Sequence, residues 1–485
     1  MNILDILHKN KQINQWQSGL NKSTRQLLLG LSGTSKSLVM ATAYDCLAEK
    51  IMIVTASQNE AEKLVADLTA IIGSENVYNF FTDDSPIAEF IFASKERIQS
   101  RIDSLNFLTD TTRSGIIVVS MAACRVLLPN PVTYKNAKIQ IEIGQEFEVD
   151  TLVKKLVNIG YKKVSRVLTQ GEFSQRGDIL DIFDMQADSP YRLEFFGDEI
   201  DGIRIFDVDS QKSLENLDKV IISPASDILL SSEDYKRARQ KIQIAIEHSS
   251  IENQQSYLRE VLADMQAEYR HPDLRKFLSF LYEKSWTLLD YLPKSSPLFL
   301  DDFHKIADKQ AQFEKEVAEL LTDDLQNSKS VSSLQYFAST YSELRKYKPA
   351  TFFSSFQKGL GNVKFDALYQ FTQYPMQEFF HQIPLLKEEL TRYAKSKNTV
   401  IIQASSESSL HTLQKALQEY NIQLPSYPSD KLVEGQQQVT IGQFTAGFHL
   451  MDEKLVLITE KEIFNKKIKR KVRKTNISNA ERIKD

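Results

Sequence analysis

The feature that most constrains the fold is the alternation of short apolar runs with helical patterns near the N-terminus. LLLG at 27–30, IMIVTAS at 51–57 and GIIVVS at 115–120 are continuously apolar, which is typical of strands covered on both faces. Ser57 and Glu60 form an S-x-x-E capping box that opens a helix after the second run. Buried strands that alternate with helices predict a parallel sheet covered by helices, and so an α/β fold.

Length and charge limit the class of protein. The 485 residues are too many for a single core, so we expect about three domains. The 60 basic and 64 acidic residues give a net charge of -4, which argues against a generally basic nucleic-acid binder. The sequence has no run long enough to span a membrane and no secretory signal, so we expect a cytoplasmic protein without membrane contact. The two cysteines exclude a disulfide scaffold, and the seven histidines lack paired ligand spacing, so we predict no metal site.

A near-match to a phosphate-binding loop follows the first apolar run. Residues 30–37, GLSGTSKS, resemble G-x-x-x-x-G-K-[ST], in which backbone N–H groups and the lysine hold phosphates and the hydroxyl holds Mg²⁺. Ser35 replaces the second glycine, at a position where close backbone approach resists a Cβ. The loop is either a working NTPase loop or a relic that keeps only Lys36 and Ser37. The serine favours the relic.

An acidic pair in LFLDDFH (298–304) could accompany this loop, because the segment resembles a D-E-x-H box. Asp301 would bind Mg²⁺, and Asp302 would stand where a glutamate polarises water. Aspartate is one methylene shorter, and a misplacement of about 1 Å can cost on the order of 10²-fold in rate. The alternative is a solvated strand end with two acids. We favour a degenerate nucleotide site without catalytic residues, formed by Gly30, Lys36, Ser37, Asp301 and Asp302.

The most specific stretch of the chain reads GEFSQRGDILDIF and is followed by YRLEFFGDEID. In a strand over 191–196, alternation turns Tyr191 and Phe195 towards the core and Arg192 and Phe196 towards the exposed side. The last two would lie about 13 Å apart on that side. Arginines and aromatic residues are enriched at interface hot spots, although a solvated face with one half-covered phenylalanine is the alternative.

These two segments resemble the second domain of UvrB, the damage-verification helicase of nucleotide excision repair. The same block occurs in bacterial transcription-repair coupling factors, the Mfd family. Two departures favour the latter: residues 78–108 are too few to hold the DNA-clamping β-hairpin of UvrB, and both nucleotide motifs are degenerate. The segments FTQYPMQEFFHQIPLLKEEL and LMDEKLVLITEKEIF also resemble the third domain of the coupling factors. The resemblance covers essentially the whole chain.

The resemblance implies a degenerate RecA-like (P-loop NTPase-type) parallel-sheet domain with an inserted α+β UvrA-binding module, followed by a further α/β domain. The last segment is a basic linker, in which seven of the nine residues from Lys466 to Lys474 are basic. The predicted units, in chain order, are domain 1A at 1–133, inserted domain 2 at 134–224, completion 1B of the first domain at 225–350, domain 3 at 351–464 and the linker at 465–485.

The implied function is that of an adaptor, which recruits the repair protein UvrA to RNA polymerase stalled at DNA damage. In the family, UvrA contacts two arginines and a following aromatic residue, which fall on Arg176, Arg192 and Phe196. We expect all three side chains to be exposed to solvent. The alternatives are a fragment of a UvrB-type ATP-dependent DNA helicase and a DNA-binding module that uses the basic segment.

The resemblance also implies what this part of the protein lacks. We expect a monomer without catalysis and without a cofactor. RNA polymerase and double-stranded DNA would bind domains that follow the linker. ATP and Mg²⁺ would bind there too, and they would make the full-length protein an ATP-dependent DNA translocase.

Overall fold

The structure is a computed structural model, and it describes residues 1–91, 94–268, 271–356 and 360–465. Within these ranges the chain forms an α/β fold with four β-sheets, the largest of which has seven strands. The α/β fold class predicted from the sequence is confirmed at this level.

The N-terminal part alternates strands and helices. As the S-x-x-E pattern predicts, a helix begins after Ser57, whose side chain accepts a hydrogen bond from the backbone N–H of Glu60. The Glu60 carboxylate contacts Lys305, so only the serine half of the predicted capping box forms. The elements are α1 (Ile3–Leu7), α2 (Lys11–Gln17), β1 (Arg25–Leu29), α3 (Thr34–Leu47), β2 (Lys50–Thr55), α4 (Gln58–Ile72), β3 (Val77–Phe80), α5 (Pro86–Ile91), α6 (Lys95–Thr109), β4 (Gly115–Ser120) and α7 (Pro131–Asn136).

The next segment is rich in strands. Its elements are β5 (Ile139–Glu142), α8 (Val149–Asn158), β6 (Lys162–Lys163), β7 (Glu172–Arg176), β8 (Ile179–Ile182), β9 (Tyr191–Phe196), β10 (Glu199–Phe206), β11 (Ser213–Leu217) and β12 (Lys219–Ile222). Strands β6 to β11 form a six-stranded sheet in the order β11-β10-β9-β8-β7-β6, in which every pair except β6 with β7 is antiparallel. Strands β5 and β12 pair with each other, so the two ends of the segment lie side by side.

A helical region then leads back to the first sheet. Its elements are α9 (Ser232–His248), α10 (Glu252–Gln266), α11 (Leu278–Leu281), α12 (Leu288–Tyr291), β13 (Leu298–Asp301), α13 (Phe303–Gln326), α14 (Tyr341–Lys346), β14 (Ala350–Ser354) and β15 (Ala367–Gln370).

The seven-stranded sheet joins the two ends of this long excursion. Its order is β15-β1-β14-β13-β2-β4-β3, and every pair of neighbours is parallel. Since β14 and β15 both pair with β1, the sheet extends to Gln370. The boundary predicted at residue 350 falls on the first residue of β14, so the sheet runs on beyond that boundary.

The last part of the chain forms a separate five-stranded sheet with helices. The strand order is β16-β19-β20-β17-β18, with parallel pairs on both sides of β17. The elements are β16 (Gln373–Pro375), α15 (Ile383–Lys395), β17 (Thr399–Ala404), α16 (Glu407–Glu419), β18 (Gln437–Ile441), β19 (Phe448–Leu450), β20 (Leu455–Thr459) and α17 (Glu460–Phe464).

A buried ionic cluster fixes the segment where the chain leaves β12. Arg101 of α6 is fully buried and contacts Glu89 of α5 at 2.6 Å and Asp227 at 2.9 Å. Arg275 contacts the same two carboxylates, at 3.1 Å and 2.6 Å. Burial opposes ionisation of Asp227, but Arg275 and Arg101 hold its pKa well below the ordinary value. The cluster therefore ties the α5–α6 pair to the connection between β12 and α9.

Removing one partner from this cluster should destabilise the fold strongly. Asp227→Asn leaves buried guanidinium charge without its counter-ion, so we expect the free energy of unfolding to fall by about 3–5 kcal/mol. Urea denaturation followed by circular dichroism measures this loss. The control is Asp201→Asn, because Asp201 is exposed and its change should stay within about 0.5 kcal/mol.

The effect of Asp227→Asn should also depend on pH. A carboxyl with a depressed pKa in the folded state contributes stability above its unfolded pKa, and this contribution is lost as the pH falls through the folded value. The stability difference between wild type and variant should therefore shrink below about pH 4. A difference that stays constant between pH 7 and pH 2 would contradict an ionised Asp227.

Candidate functional site

The three residues predicted to bind a partner lie on the polar face of the six-stranded sheet. Arg192 lies opposite Asp181 in the β8–β9 register. Phe196 is the last residue of β9 and pairs with Glu199 across the turn to β10. Arg176 ends β7, from which the chain turns at Gly177 into β8. One hairpin and one strand therefore supply all three side chains.

Asp181 brings the two arginines together. It accepts two hydrogen bonds from Arg192, from Nε to Oδ1 at 2.7 Å and from Nη2 to Oδ2 at 2.9 Å. It also accepts one from Nη2 of Arg176 at 2.7 Å. The Asp181 side chain is only 2% exposed, so it is a fixed counter-ion on this face. Hydrogen bonding of Arg192 to the Asp181 carboxylate is the largest cause of the raised Arg192 pKa. The planar guanidinium of Arg192 is thus held in one orientation.

The prediction that all three side chains are exposed is wrong for Arg192. Phe196 is 81% exposed and the Arg176 side chain is 51% exposed, but the Arg192 side chain is only 15% exposed. Arg192 lies over the ring of Phe206, with its guanidinium carbon 4.3 Å from the ring centroid. The bidentate contact with Asp181 and this cation–π contact cover it from two sides. Strand alternation correctly gave the face of Arg192 but not the neighbours that cover it.

Residues that were not predicted to bind a partner complete this face. Glu194 of β9 contacts Arg204 of β10 at 3.0 Å. The Gln211 carbonyl accepts a long hydrogen bond of 3.4 Å from Nη1 of Arg192. Strand alternation within GDILDIF could have found Asp181, because every second residue of a strand lies on the same face. Ile179 pairs with Glu194 on the polar face, so Asp181, two residues further on, lies on that face too. Gln211 lies in a loop, where no periodic sequence pattern could predict its contact with Arg192.

The loop that resembles a phosphate-binding loop lies between β1 and α3. Gly30 and Gly33 have φ of +88° and +57°, and a Cβ on Gly30 would meet the carbonyl oxygen of Phe371 at 2.2 Å. A glycine is therefore required at residue 30. Ser35 lies inside α3 and is buried, and its hydroxyl donates to the carbonyl oxygen of Ser32 at 3.0 Å.

The predicted phosphate and Mg²⁺ ligands contact other residues of the protein. The Lys36 ammonium forms a salt bridge with the Asp301 carboxylate, so the residues that follow β1 and end β13 meet. The Ser37 hydroxyl donates to Asp67 of α4 at 3.2 Å. Within the described residues, no group of three or more His, Cys, Asp or Glu side chains is arranged to hold a metal ion.

Asp302 has a structural role at the start of α13. Its backbone has a left-handed φ of +58°, and its side chain accepts from the backbone N–H of Lys305 at 3.5 Å. The ammonium of Lys305 is 3.3 Å from the Asp302 carboxylate and 3.4 Å from that of Glu60. Asp302 is thus a helix cap with a cationic partner.

Two further features bear on the sequence predictions. No helix among the described residues is both long and apolar enough to cross a membrane. The basic run 466–474 lies outside the described residues, so its predicted role as a linker stays a prediction.

Comparison with known proteins identifies two domains. Residues 139–227 match the model of the UvrB interaction domain, which contains Arg176, Arg192 and Phe196. Residues 393–463 match the model of the MFD D3 domain.

Curated relatives align with the whole chain, among them the following two. The transcription-repair-coupling factor of Bacillus subtilis (strain 168) is 31% identical, and that of Staphylococcus aureus (strain bovine RF122 / ET3-1) is 29% identical. The chain spans 42% of the length of each. A solved chain, the Hef helicase domain of Pyrococcus furiosus, aligns over 91% of this chain and 87% of that chain. Its TM-score of 0.15 and identity of 11% carry no argument. With its UvrB interaction domain and its D3 domain, the chain is related over its full length to the N-terminal part of the transcription-repair-coupling factors, the Mfd family.

Proposed function

We propose that this chain is the recruiting part of a transcription-repair coupling factor, an adaptor that brings UvrA to RNA polymerase stalled at DNA damage. The observation that carries the proposal is the exposed Phe196 on the same face of the sheet as the two arginines that share Asp181, within the UvrB interaction domain. A face that combines a large exposed aromatic side chain with arginines has the composition of an interface hot spot. The part of the chain that the structure describes leaves most of the Phe196 side chain open to solvent, so a partner could bury it.

The three residues would contribute in different ways. Phe196 is the anchor, since full burial of a phenylalanine stabilises a complex by about 1.5–3 kcal/mol. Arg176 is the charged contact, because a guanidinium has five N–H groups and only one of them is used on Asp181. Arg192 is a positioning residue, since it shares Asp181 with Arg176 and is mostly covered. Two cations on one buried anion leave a net positive charge, which fits a partner surface with carboxylates beside an apolar pocket.

We also propose that the nucleotide motifs are relics in a degenerate RecA-like domain, so that this chain hydrolyses no ATP. The parallel sheet supports that fold, and the helix-capping role of Asp302 removes the residue that would polarise water. ATP-driven translocation, and the binding of RNA polymerase and duplex DNA, belong to the rest of the full-length protein in this proposal.

The same proposal includes the domain order. Domain 1 would comprise residues 1–133 and the completion after the inserted module at 134–224. Because β15 ends at Gln370 and β16 starts at Gln373, we move the start of domain 3 from residue 351 to the short connection between these strands.

The first test concerns Phe196, the proposed anchor of the interface. Phe196→Ala should weaken binding of this chain to purified UvrA by about 30-fold or more, because truncating a hot spot typically costs about 2 kcal/mol or more. Isothermal titration calorimetry measures the affinity. The matched control is Phe356→Ala, since Phe356 is an equally exposed phenylalanine in another part of the chain. Equal affinity of wild type and the Phe196 variant would remove Phe196 from the site.

The second test separates the two arginines. Arg176→Ala should weaken UvrA binding with little loss of stability, because its ion pair is half exposed. Arg192→Ala should weaken binding and also lower the free energy of unfolding by about 1–3 kcal/mol, since it removes two hydrogen bonds from the buried Asp181. Chemical denaturation gives the stabilities, with the exposed Arg166→Ala as control. Unchanged stability of the Arg192 variant would contradict its positioning role.

The third test concerns ATP. Steady-state hydrolysis by the wild-type chain should equal that of Lys36→Ala, because the loop lacks its second glycine and Asp302 caps a helix. A coupled phosphate-release assay measures the rate. Turnover that depends on Lys36 would favour the UvrB-type helicase alternative.

A further inference from the structure

The loop at residues 30–37 is contacted by the last part of the chain. The side-chain amide of Gln373, the first residue of β16, binds Ser32 in both directions. Its Oε1 accepts from the Ser32 backbone N–H at 2.9 Å. Its Nε2 donates to the Ser32 carbonyl at 3.1 Å and to the Ser32 hydroxyl at 3.0 Å. The Ser35 hydroxyl also bonds to Oε1 of Gln373.

A second contact reaches the same loop from the β18–β19 connection. The backbone N–H of Thr445 donates to Asp67 at 2.8 Å, and its hydroxyl donates to the same carboxylate at 3.0 Å. Asp67 is buried and also accepts from Ser37 of α3. The backbone N–H of Ala446 donates to the Thr34 hydroxyl at 3.2 Å, at the first residue of α3.

Apolar packing surrounds these hydrogen bonds. One hydrophobic cluster contains buried residues of α3 and β1 together with Phe444 of the β18–β19 connection and Phe448 and Leu457 of the five-stranded sheet. The Asp67 carboxylate and the Thr34 side chain are buried, so separating the two parts would take hydrogen bonds from buried groups. The hydrogen bonds between Gln373 and Ser32 are exposed. The apolar cluster itself is continuous across the contact.

In a nucleotide-binding loop, the backbone N–H groups and the lysine bind phosphate, and the hydroxyl after the lysine binds Mg²⁺. Here the Ser32 N–H binds Gln373, the Lys36 ammonium binds Asp301, and the Ser37 hydroxyl binds Asp67. We infer that the loop at 30–37 is an internal docking site for the five-stranded-sheet part of the same chain, residues 373–465, called here the D3 unit. The contacts are made by Gln373 and by the Thr445–Ala446 segment. Docking holds the D3 unit on the first sheet and occupies the Ser32 N–H and the Thr34 hydroxyl oxygen. The Lys36 ammonium and the Ser37 hydroxyl are occupied by Asp301 and Asp67 of the first part of the chain. This inference does not rest on UvrA binding.

A disulfide tests the docking. The hydroxyl oxygens of Thr34 and Thr445 are 3.5 Å apart, so cysteines at both positions should form a disulfide under mild oxidation. The 485-residue chain with Cys46→Ser is the background, because Cys46 is an exposed thiol. Each single cysteine variant is a control. Rapid crosslinking of the folded double variant supports docking. A double variant with wild-type circular dichroism and no disulfide overturns it.

Weakening the contact is a second test that leaves the chain free of crosslinks. In Gln373→Ala/Thr445→Ala the two parts should unfold at separate temperatures in differential scanning calorimetry. The control is Thr412→Ala/Gln418→Ala on the exposed side of α16, which should unfold like the wild type. If the Gln373/Thr445 variant keeps the wild-type transition, the polar contacts do not hold the units together and the docking role is overturned.

ATP binding by the disulfide-linked chain tests whether the docked loop excludes nucleotide. The disulfide-linked chain should show no binding in a titration with ATP and Mg²⁺, because the Thr445 segment cannot leave the loop. Measurable ATP binding by the crosslinked chain would overturn the exclusion of nucleotide. UvrA affinity should be the same before and after crosslinking, since Phe196 lies on a different sheet. A failure of the UvrA proposal is thereby distinguishable from a failure of this one.

Discussion

The position of β1 between β14 and β15 is the constraint on which the rest of the structure depends. The sheet is complete only when two strands from residue 350 onward pair with a strand that ends at residue 29. The chain between β1 and β14 must therefore leave the sheet and return to it where these strands can pair. The antiparallel pairing of β5 with β12 brings the ends of the inserted segment together, and the Arg101 cluster fixes its exit. Carboxyl ends of parallel strands meet at one edge, which is why Lys36 after β1 and Asp301 at the end of β13 form a salt bridge.

The face that carries the proposed partner site shows how a sheet can hold charge in a fixed geometry. Asp181 is nearly fully buried, so it would be costly without partners, and two arginines pay that desolvation cost with three short hydrogen bonds. The same bonds fix Arg192 against Phe206. Preorganisation of this kind lowers the entropy lost on binding, since side chains that are already ordered need not be immobilised by a partner. Phe196 needs no such support, because a phenylalanine has only two side-chain torsions.

Local patterns were enough to predict the strands and helices near the N-terminus, the faces of β9 and the start of α4. Each depends on spacing within one element, as for Tyr191 to Phe196. The residues that cover Arg192 could not be predicted from the sequence. Phe206 lies in β10 and Gln211 in a loop, and only the tertiary structure brings them to Arg192. Arg176 was assigned from the family resemblance alone, and the shared Asp181 is the physical reason that it lies near Arg192. The contacts of Gln373 and Thr445 join residues hundreds of positions apart and leave no periodic signal.

Ser35 connects the two properties of the loop at 30–37. As the replacement for the second glycine, it adds a Cβ where a nucleotide-binding loop needs close backbone approach to phosphate. In this chain its side chain is buried and its hydroxyl bonds to Ser32 and to Gln373. A glycine at the same position would leave out the hydroxyl that binds Gln373. The residue that argues against phosphate binding therefore also contributes to docking of the D3 unit, and a loop with these contacts no longer needs a nucleotide to satisfy its polar groups.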